Sequence, residues 1–246
     1  SENRFDHLPA VLGSCSQLRM VGFKSNQIET VEEGSLPPSL RWLILTDNRI
    51  SHLPGSIGRC EPLQKLMLSG NRLSQLPESM AACVNLEMIR LAANQFENLP
   101  AWLPALPCLA WLALAGNPCA PMPDIDSLPM TMVNWSELEL IKKLGEGASG
   151  IIHQGVWKTN SQDVAVKIFK GAMTSDGLPA SELAASLTVG DHPHLMQILG
   201  RVTHHPEQAA GLVMTLINPE FTTLAGPPSL ESCTRDVYDD ALRLPV

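Results

Sequence analysis

The chain has 246 residues, a formal net charge of −8 and 44% hydrophobic residues, but only 4% aromatic residues. A sequence this apolar, with only 17% charged residues, is not typical of a disordered chain. The acidic balance argues against a nucleic-acid-binding protein, which normally carries a basic stripe. No apolar run approaches the roughly 18 residues of a membrane span. We therefore expect neither a nucleic-acid partner nor a membrane partner.

The first half of the chain is repetitive. Four copies of the pattern Leu-x-x-(Leu/Ile)-x-Leu-x-x-Asn follow one another, a looser copy precedes them, and Leu-Pro pairs follow most copies. The repeated asparagines, spaced 22 or 23 residues apart, are Asn3, Asn26, Asn48, Asn71, Asn94 and Asn117. The pattern resembles the leucine-rich repeat. It implies an α/β solenoid with a parallel sheet over residues 1–117, about five repeats of period 23.

The asparagines of this array are interpreted as structural, because Asn at the end of a strand can bond the backbone of the adjoining loop. Only a fragment of a repeat precedes Pro9, and no polar cap is visible, so we expect further repeats before Ser1. Cys15, Cys60 and Cys83 occupy one register of the repeat and are predicted to be small buried packing residues. This cysteine usage favours a reducing compartment, and hence a cytoplasmic location.

One face of the predicted solenoid is unusually apolar. Side chains alternate along a strand, so the positions between the repeated leucines point to the concave face. Exposed apolar patches often bind partners, and we predict a protein partner here. The alternative is that another part of the protein covers the patch. The candidate partner-binding residues are Met20, Trp42, Ile44, Lys65, Met67, Met88, Arg90 and Trp111.

The repeats end near a proline-rich stretch, where Pro118, Pro121, Pro123 and Pro129 fall close together. Proline stiffens linkers and is excluded from central strands, so residues 118–134 are predicted to be a linker.

A glycine motif, Gly-Glu-Gly-Ala-Ser-Gly, occupies residues 145–150. The motif alone is compatible with a dinucleotide-binding loop, a kinase loop or an ordinary turn. In a dinucleotide-binding fold a helix follows the glycines, but residues 151–157 are rich in β-branched and aromatic residues and predict a strand. Two strands joined by a glycine turn resemble the Gly-rich loop of protein kinases.

Further matches to the kinase family follow in order. Val-Ala-Val-Lys-Ile at residues 164–168 resembles the family's lysine-bearing strand. A predicted helix over Pro179–Val189 contains one acidic residue, Glu182, and residues 211–217 resemble the strand that enters the hinge. The resemblance implies that residues 135–246 are an α+β protein-kinase-like N-lobe and hinge, with an antiparallel sheet and one helix.

The kinase resemblance also implies roles for individual residues. Lys167 would bind the nucleotide phosphates and Glu182 would hold it, so these two are the candidate catalytic residues. The implied cofactor is ATP, with magnesium expected in the complete enzyme and no metal ligand in this chain. The candidate ATP-binding residues are Leu144, Gly145, Glu146, Gly147, Ala148, Ser149, Gly150, Ile152, Ala165, Lys167, Met214, Thr215 and Ile217.

The motifs that carry the rest of kinase chemistry do not occur: there is no Asp-Phe-Gly and no Ala-Pro-Glu. We therefore expect that the C-lobe is absent and that this chain alone does not transfer phosphate. The favoured interpretation is a fragment of a cytoplasmic leucine-rich-repeat protein kinase, with repeats that bind a partner and a kinase half that uses ATP on protein Ser/Thr. The alternative is a non-catalytic scaffold whose kinase-like half is a pseudokinase.

Overall fold

The computed structural model describes residues 2–121, 130–147, 149–170, 173, 177–189, 192, 194–226, 229–233 and 236–241, with residues 186–189 described by their backbone alone. Ala148, a predicted nucleotide-binding residue, lies outside the described residues. The contacts divide the chain into two compact units. One comprises Ser1–Ala113 together with Pro219–Val246, and the other comprises Leu114–Asn218.

The repeat unit is built on a five-stranded parallel sheet in which the strands are ordered as they occur in the sequence. The strands are β1 (Met20–Gly22), β2 (Trp42–Ile44), β3 (Lys65–Met67), β4 (Met88–Arg90) and β5 (Trp111–Ala113). The central residues of the first four strands are buried, with Leu43, Leu66 and Ile89 fully so, whereas Leu112 at the centre of β5 is 37% exposed. Stacking of the repeats gives each short strand the buried face that it could not form alone. The predicted leucine-rich-repeat solenoid is confirmed.

Short 3-10 helices form the return segments of the repeats, at Ala10–Ser14, Gly55–Arg59, Glu78–Ala82 and Leu103–Ala105. The first three begin directly after the proline of a Leu-Pro pair. Proline suits the residue directly before a 3-10 helix for two reasons. Its fixed φ angle restricts the chain at the start of the turn, and this position needs no backbone N–H as a donor.

The cysteine register is only partly buried. The thiols of Cys60 and Cys83 are buried and donate to carbonyls of the preceding repeat, those of Pro37 and Ile57. Burial raises the pKa of both thiols to about 11. Cys15 instead donates within its own repeat to the carbonyl of Val11 and is exposed, so the predicted burial is wrong at this position. The thiol has no preceding repeat to pack against at that end of the described chain.

The repeated asparagines form a ladder of hydrogen bonds between neighbouring repeats. The side-chain amide of Asn71 donates to the carbonyls of Leu45 and Leu68, and its oxygen accepts from the backbone N–H of Ile50. Asn48 and Asn94 make the equivalent bonds in their repeats. The asparagines are therefore structural: each satisfies buried backbone groups of two repeats at once.

The described residues of the second unit form a six-stranded sheet and an α-helix. Its elements are β6 (Met132–Asn134), β7 (Leu138–Glu146), β8 (Gly150–Trp157), β9 (Gln162–Phe169), α1 (Pro179–Val189), β10 (Ile198–Thr203) and β11 (Gly211–Thr215). The strand order is β6-β10-β11-β9-β8-β7, and all pairs are antiparallel except β6 with β10. This arrangement confirms the predicted α+β class and adds a parallel edge pair from a strand within the segment assigned to the linker.

Two apolar clusters cover the two faces of this sheet. One contains Val164, Val166 and Val213, against which Trp135 and Trp157 pack. The other contains Ala165, Phe169, Leu183, Leu212 and Met214, and so joins helix α1 to the sheet. Successive residues of β9 therefore alternate between the clusters, as expected for a strand that is covered on both faces.

The last described element is a short antiparallel pair, β12 (Ala225–Gly226) with β13 (Val237–Tyr238). It belongs to the segment Pro219–Val246, which groups with the repeats. Among the described residues, no helix is both long enough and apolar enough to cross a lipid bilayer.

Candidate functional site

The two predicted catalytic residues meet in the second unit. Lys167 lies on β9 and Glu182 in the first turn of α1, and the lysine Nζ donates to a carboxylate oxygen of Glu182 at 2.5 Å. The lysine side chain is only 11% exposed, whereas that of Glu182 is 43% exposed. The lysine Nζ also lies 5.0 Å from the ring centroid of Phe169. The buried ammonium group of Lys167, whose partner Glu182 is partly exposed to solvent, is suited to bind an anion.

An apolar wall lies next to this ion pair. Of the predicted ATP-binding residues, Ala165 and Met214 are buried in one cluster and Ile152 packs against it. Their strands adjoin, because Met214 is the register partner of Ala165 and Ile152 is the partner of Lys167. The structure therefore brings together the predicted charged residue and the predicted apolar residues on three neighbouring strands.

The glycine motif forms the turn between β7 and β8. The backbone N–H of Gly147 donates to the carbonyl of Gly150 at 2.9 Å and closes the turn. A β-carbon at Gly150 would lie 2.5 Å from the carbonyl oxygen of Ile168, whereas one at Gly145 or Gly147 would meet no atom within 4 Å. Gly150 is thus required by packing against β9, and the other two glycines leave open space in front of the turn.

A pair of lysines holds the tip of this turn. Glu146 makes ion pairs with Lys143 on β7 and with Lys170, which directly follows β9. The hydrogen bonds and charges of the two lysines lower the pKa of the Glu146 carboxyl to about 2. Sequence reasoning placed Glu146 in the nucleotide loop but missed both lysines, since neither belongs to the motif. The sequence does contain an indication of this arrangement. Glu146 is an acidic residue at the tip of the predicted hairpin, and the strands beside it end near Lys143 and Lys170.

The remaining predicted nucleotide-binding residues lie at the edges of the site. Leu144 and Ile217 are exposed, at 47% and 59%. The carbonyl of Ser149 accepts from the backbone N–H of Lys170 at 3.0 Å. Thr215 ends β11, and its backbone N–H donates to the carbonyl of Gln197. These four residues lie at the edge of the candidate nucleotide site and do not belong to the buried apolar cluster.

A cavity of about 690 Å³ in this unit lies away from these residues. It lies between the start of α1, the end of β9 and the segment that joins β10 to β11, and its lining includes Ile168, Leu183 and Arg201. None of the predicted nucleotide-binding residues lines it. The cavity is therefore not the candidate nucleotide site.

The second candidate site is the concave face of the repeats. The sheet register places Met20, Trp42, Lys65, Met88 and Trp111 in one row across the five strands. A second row contains Ile44, Met67 and Arg90. The structure thus brings together all eight predicted partner-binding residues on one face.

Cations pack on the aromatic rings of this face. The Nζ of Lys65 lies 4.1 Å from the ring centroid of Trp42, and the guanidinium carbon of Arg90 lies 5.2 Å from that of Trp111. The face was expected to be solvated, but Lys65 and Arg90 are buried. Burial lowers the pKa of Lys65, and the nearby Cys233 opposes that change. Cys233 was not singled out in the sequence, where it carries no local signal.

Comparisons with known proteins support the two halves separately. The family model described as leucine rich repeat matches residues 38–96 and 61–118, and the model described as protein tyrosine and serine/threonine kinase matches residues 138–220. A probable serine/threonine-protein kinase of Dictyostelium discoideum is 38% identical over 71 residues. That match covers 28% of this chain and 4% of the length of the relative.

Two solved structures are similar in part. A leucine-rich-repeat protein of Leptospira interrogans is 32% identical, with 47% of this chain and 30% of that chain covered and a TM-score of 0.46. The leucine-rich-repeat ectodomain of the receptor kinase SOBIR1 from Arabidopsis thaliana is 29% identical, with 44% and 61% covered and a TM-score of 0.40.

The sequence and fold together define a chain of two classes of module, a parallel repeat solenoid and a kinase-type lobe. Residues 38–118 match the leucine-rich-repeat model and residues 138–220 match the protein kinase model, so the two matches fall on different halves of the chain.

Proposed function

We propose that this chain belongs to a leucine-rich-repeat protein kinase in which the lobe binds ATP and the repeats bind a protein partner. The contact between Lys167 and Glu182 carries the proposal for the lobe, because it holds a buried ammonium group beside the apolar cluster that packs the helix on the sheet. The proposed phosphate acceptor is protein Ser/Thr, by analogy with the Dictyostelium relative.

The residues present fit a nucleotide. The ammonium group of Lys167 would bind phosphate oxygens and Glu182 would keep that group in place. Ile152, Ala165 and Met214 would pack on the base, since all three are apolar and adjacent. The open space in front of Gly145 and Gly147 allows phosphates to approach the backbone closely. ATP, when bound, supplies the phosphoryl group.

The concave face of the repeats supports the second part of the proposal. It combines three apolar methionines with two tryptophans and two cations, a composition typical of protein-binding surfaces. All six cysteines are free thiols, which supports the further proposal of a cytoplasmic location.

A thermal-shift titration with Mg-ATP tests nucleotide binding. We expect ATP to raise the melting temperature of the lobe, because a ligand that binds only the folded state stabilises it. Lys167→Met should abolish this rise. Lys158→Met is the matched control, since Lys158 is exposed and follows β8 at the end away from the glycine turn. Equal shifts in both variants would contradict the assignment.

A transfer assay separates the enzyme from the scaffold. The native gene product, incubated with labelled ATP and a generic protein substrate, should label serine or threonine, and Lys167→Met should not. ATP binding without transfer would instead favour the pseudokinase scaffold.

A further inference from the structure

The middle of the concave face is buried in a way that the strands themselves do not explain. Along one row, Met20 and Trp111 at the two ends are 48% and 47% exposed, whereas Lys65 and Met88 between them are 6% and 4% exposed. All four occupy equivalent positions of their repeats and point to the same side. A lysine on an open sheet face keeps its ammonium group in water, so this burial requires a cover.

The cover is a segment of the same chain. Pro219–Val246 groups with the repeats in one compact unit. Cys233 is completely buried and lies close enough to Lys65 for the two groups to interact electrostatically. Among the described residues of the segment Cys233 alone is buried, while Phe221 and Tyr238 are exposed. The thiol is therefore the anchor of the segment.

The local structure around the anchor is a tight turn. The backbone N–H of Cys233 donates to the carbonyl of Ser229 at 2.9 Å, and the hydroxyl of Ser232 accepts from the N–H of Ser229 at 2.8 Å. This turn lies between the two short strands β12 and β13. A turn that satisfies its own backbone groups can be placed against an apolar face at little cost.

The charges of the two surfaces are complementary. Residues 219–241 carry five acidic residues and one arginine, a net charge of −4. The covered part of the face carries two cations, Lys65 and Arg90. The acidic residues of the segment are all exposed, and the groups that act on the charge of Lys65 are Glu87, Arg90 and Cys233, so the segment favours this face through its overall charge and not through a buried ion pair.

We propose that the concave face is a binding site for the chain's own acidic segment 219–241, anchored by Cys233. The segment shows which chemistry the face selects: a compact acidic turn with one small apolar side chain. A protein partner must then displace the segment or bind after it has left. This last step rests on the proposed partner-binding role of the face, whereas occupancy by the segment does not.

Methionine oxidation tests the occupancy with native residues as probes. Dilute peroxide converts accessible thioethers to sulfoxides, and peptide mass spectrometry reports each methionine separately. Met20 at the open end of the row should react quickly, and Met88 under the segment should react slowly. Met80, which is fully buried in the repeat core, is the reference for complete protection.

Cys233→Arg places a third cation beside Lys65 and should release the segment, raising the oxidation rate of Met88 at least about tenfold towards that of Met20. Met80 should stay protected, which shows that the repeats remain folded. Removal of residues 219–246 should have the same effect. Rapid oxidation of Met88 in the unmodified chain, or its continued protection in both variants, would overturn the proposal.

A synthetic peptide of residues 219–241, added to the shortened chain, should restore protection of Met88. A scrambled peptide of the same composition should not, because it lacks the turn around the cysteine. Equal protection of Met88 by both peptides would show that only nonspecific charge attraction holds them on the face, and would overturn the proposal. If the released chain captures no protein from its native source, the partner-binding role fails while the oxidation result stands.

Discussion

The ammonium nitrogen of Lys167 lies 2.5 Å from a carboxylate oxygen of Glu182, although 15 residues separate them in sequence. The helix that carries Glu182 is fixed to the sheet by its buried neighbours Leu183 and Ala184. The apolar cluster that holds the helix therefore also sets the position of the carboxylate. The packing of helix α1 on the sheet thus determines where the charge of Glu182 lies relative to Lys167.

The first prediction separates stability from nucleotide binding at this pair. Glu182→Gln should lower the unfolding free energy of the lobe by about 1–3 kcal/mol, because the buried Lys167 ammonium loses its charged partner while the new amide oxygen can still accept its hydrogen bond. The same variant should lose most of the thermal shift caused by Mg-ATP, since the ion pair no longer holds Lys167 in place. Denaturant melts measure the first quantity and the ATP titration the second. Glu139→Gln, at an exposed position of β7, serves as the control and should change neither.

The second prediction distinguishes two glycines of one motif. Gly150→Ala should destabilise the lobe by about 1–3 kcal/mol, because the new β-carbon would lie 2.5 Å from the carbonyl oxygen of Ile168 and force the backbone apart. Gly147→Ala meets open space and should leave stability within about 1 kcal/mol of the parent. It should nevertheless weaken ATP binding, because the methyl group would stand where the phosphates approach. Urea melts and the ATP titration, made on both variants, distinguish these effects. Equal destabilisation by the two substitutions would show that the turn is wrongly placed.

The third prediction concerns the asparagine ladder. Asn71→Ala removes three hydrogen bonds and leaves the N–H of Ile50 without its acceptor, whereas the carbonyls of Leu45 and Leu68 still accept from the amides of Asn48 and Asn94. Because a buried polar group left unsatisfied costs about 1–3 kcal/mol, we expect a loss of about 1–3 kcal/mol in the repeat unit. Asn85→Ala is the matched control, with one exposed bond to the carbonyl of Glu61 and an expected loss below about 1 kcal/mol. Similar losses for the two would contradict the structural role of the ladder.

The repeats were predictable because their physics is local and periodic. A fixed spacing of leucines and asparagines determines which side chains point inward, and the register of Lys65 with Met88 follows from it. The kinase-type lobe was predictable for a different reason: its motifs keep their order along the chain. The pairing of Lys167 with Glu182 was expected from the resemblance to the kinase family, which the order of these motifs indicates.

Most features that the sequence did not indicate depend on tertiary contacts. Lys170 reaches Glu146 from 24 residues away because β9 pairs with the second strand of the β7–β8 hairpin, whereas Lys143 lies only three residues from Glu146 but belongs to no motif. Strand β6 pairs with β10 across about 70 residues, too far for local patterns to indicate. The burial of Lys65 depends on a segment from the other end of the chain. For Lys170, β6 and Lys65, the partners lie far apart in sequence, so no local pattern could predict these contacts.

The last prediction follows from the lysine pair at the tip of the glycine turn. Lys143 and Lys170 lower the pKa of Glu146 to about 2, so the ionised carboxylate is favoured in the folded lobe. Its contribution to stability is therefore complete above its ordinary pKa of 4.5 and is lost as the pH falls towards about 2.

Glu146→Gln removes this contribution at every pH. The stability difference between the parent chain and this variant should be largest at neutral pH and should shrink as the pH is lowered from about 5 to about 2.5. Denaturant melts across that range measure the difference, and subtraction cancels the carboxyl groups that both chains share. High salt should reduce the difference as well, because all three side chains are exposed to solvent. A difference that stays constant with pH would show that Glu146 does not hold the turn through its charge.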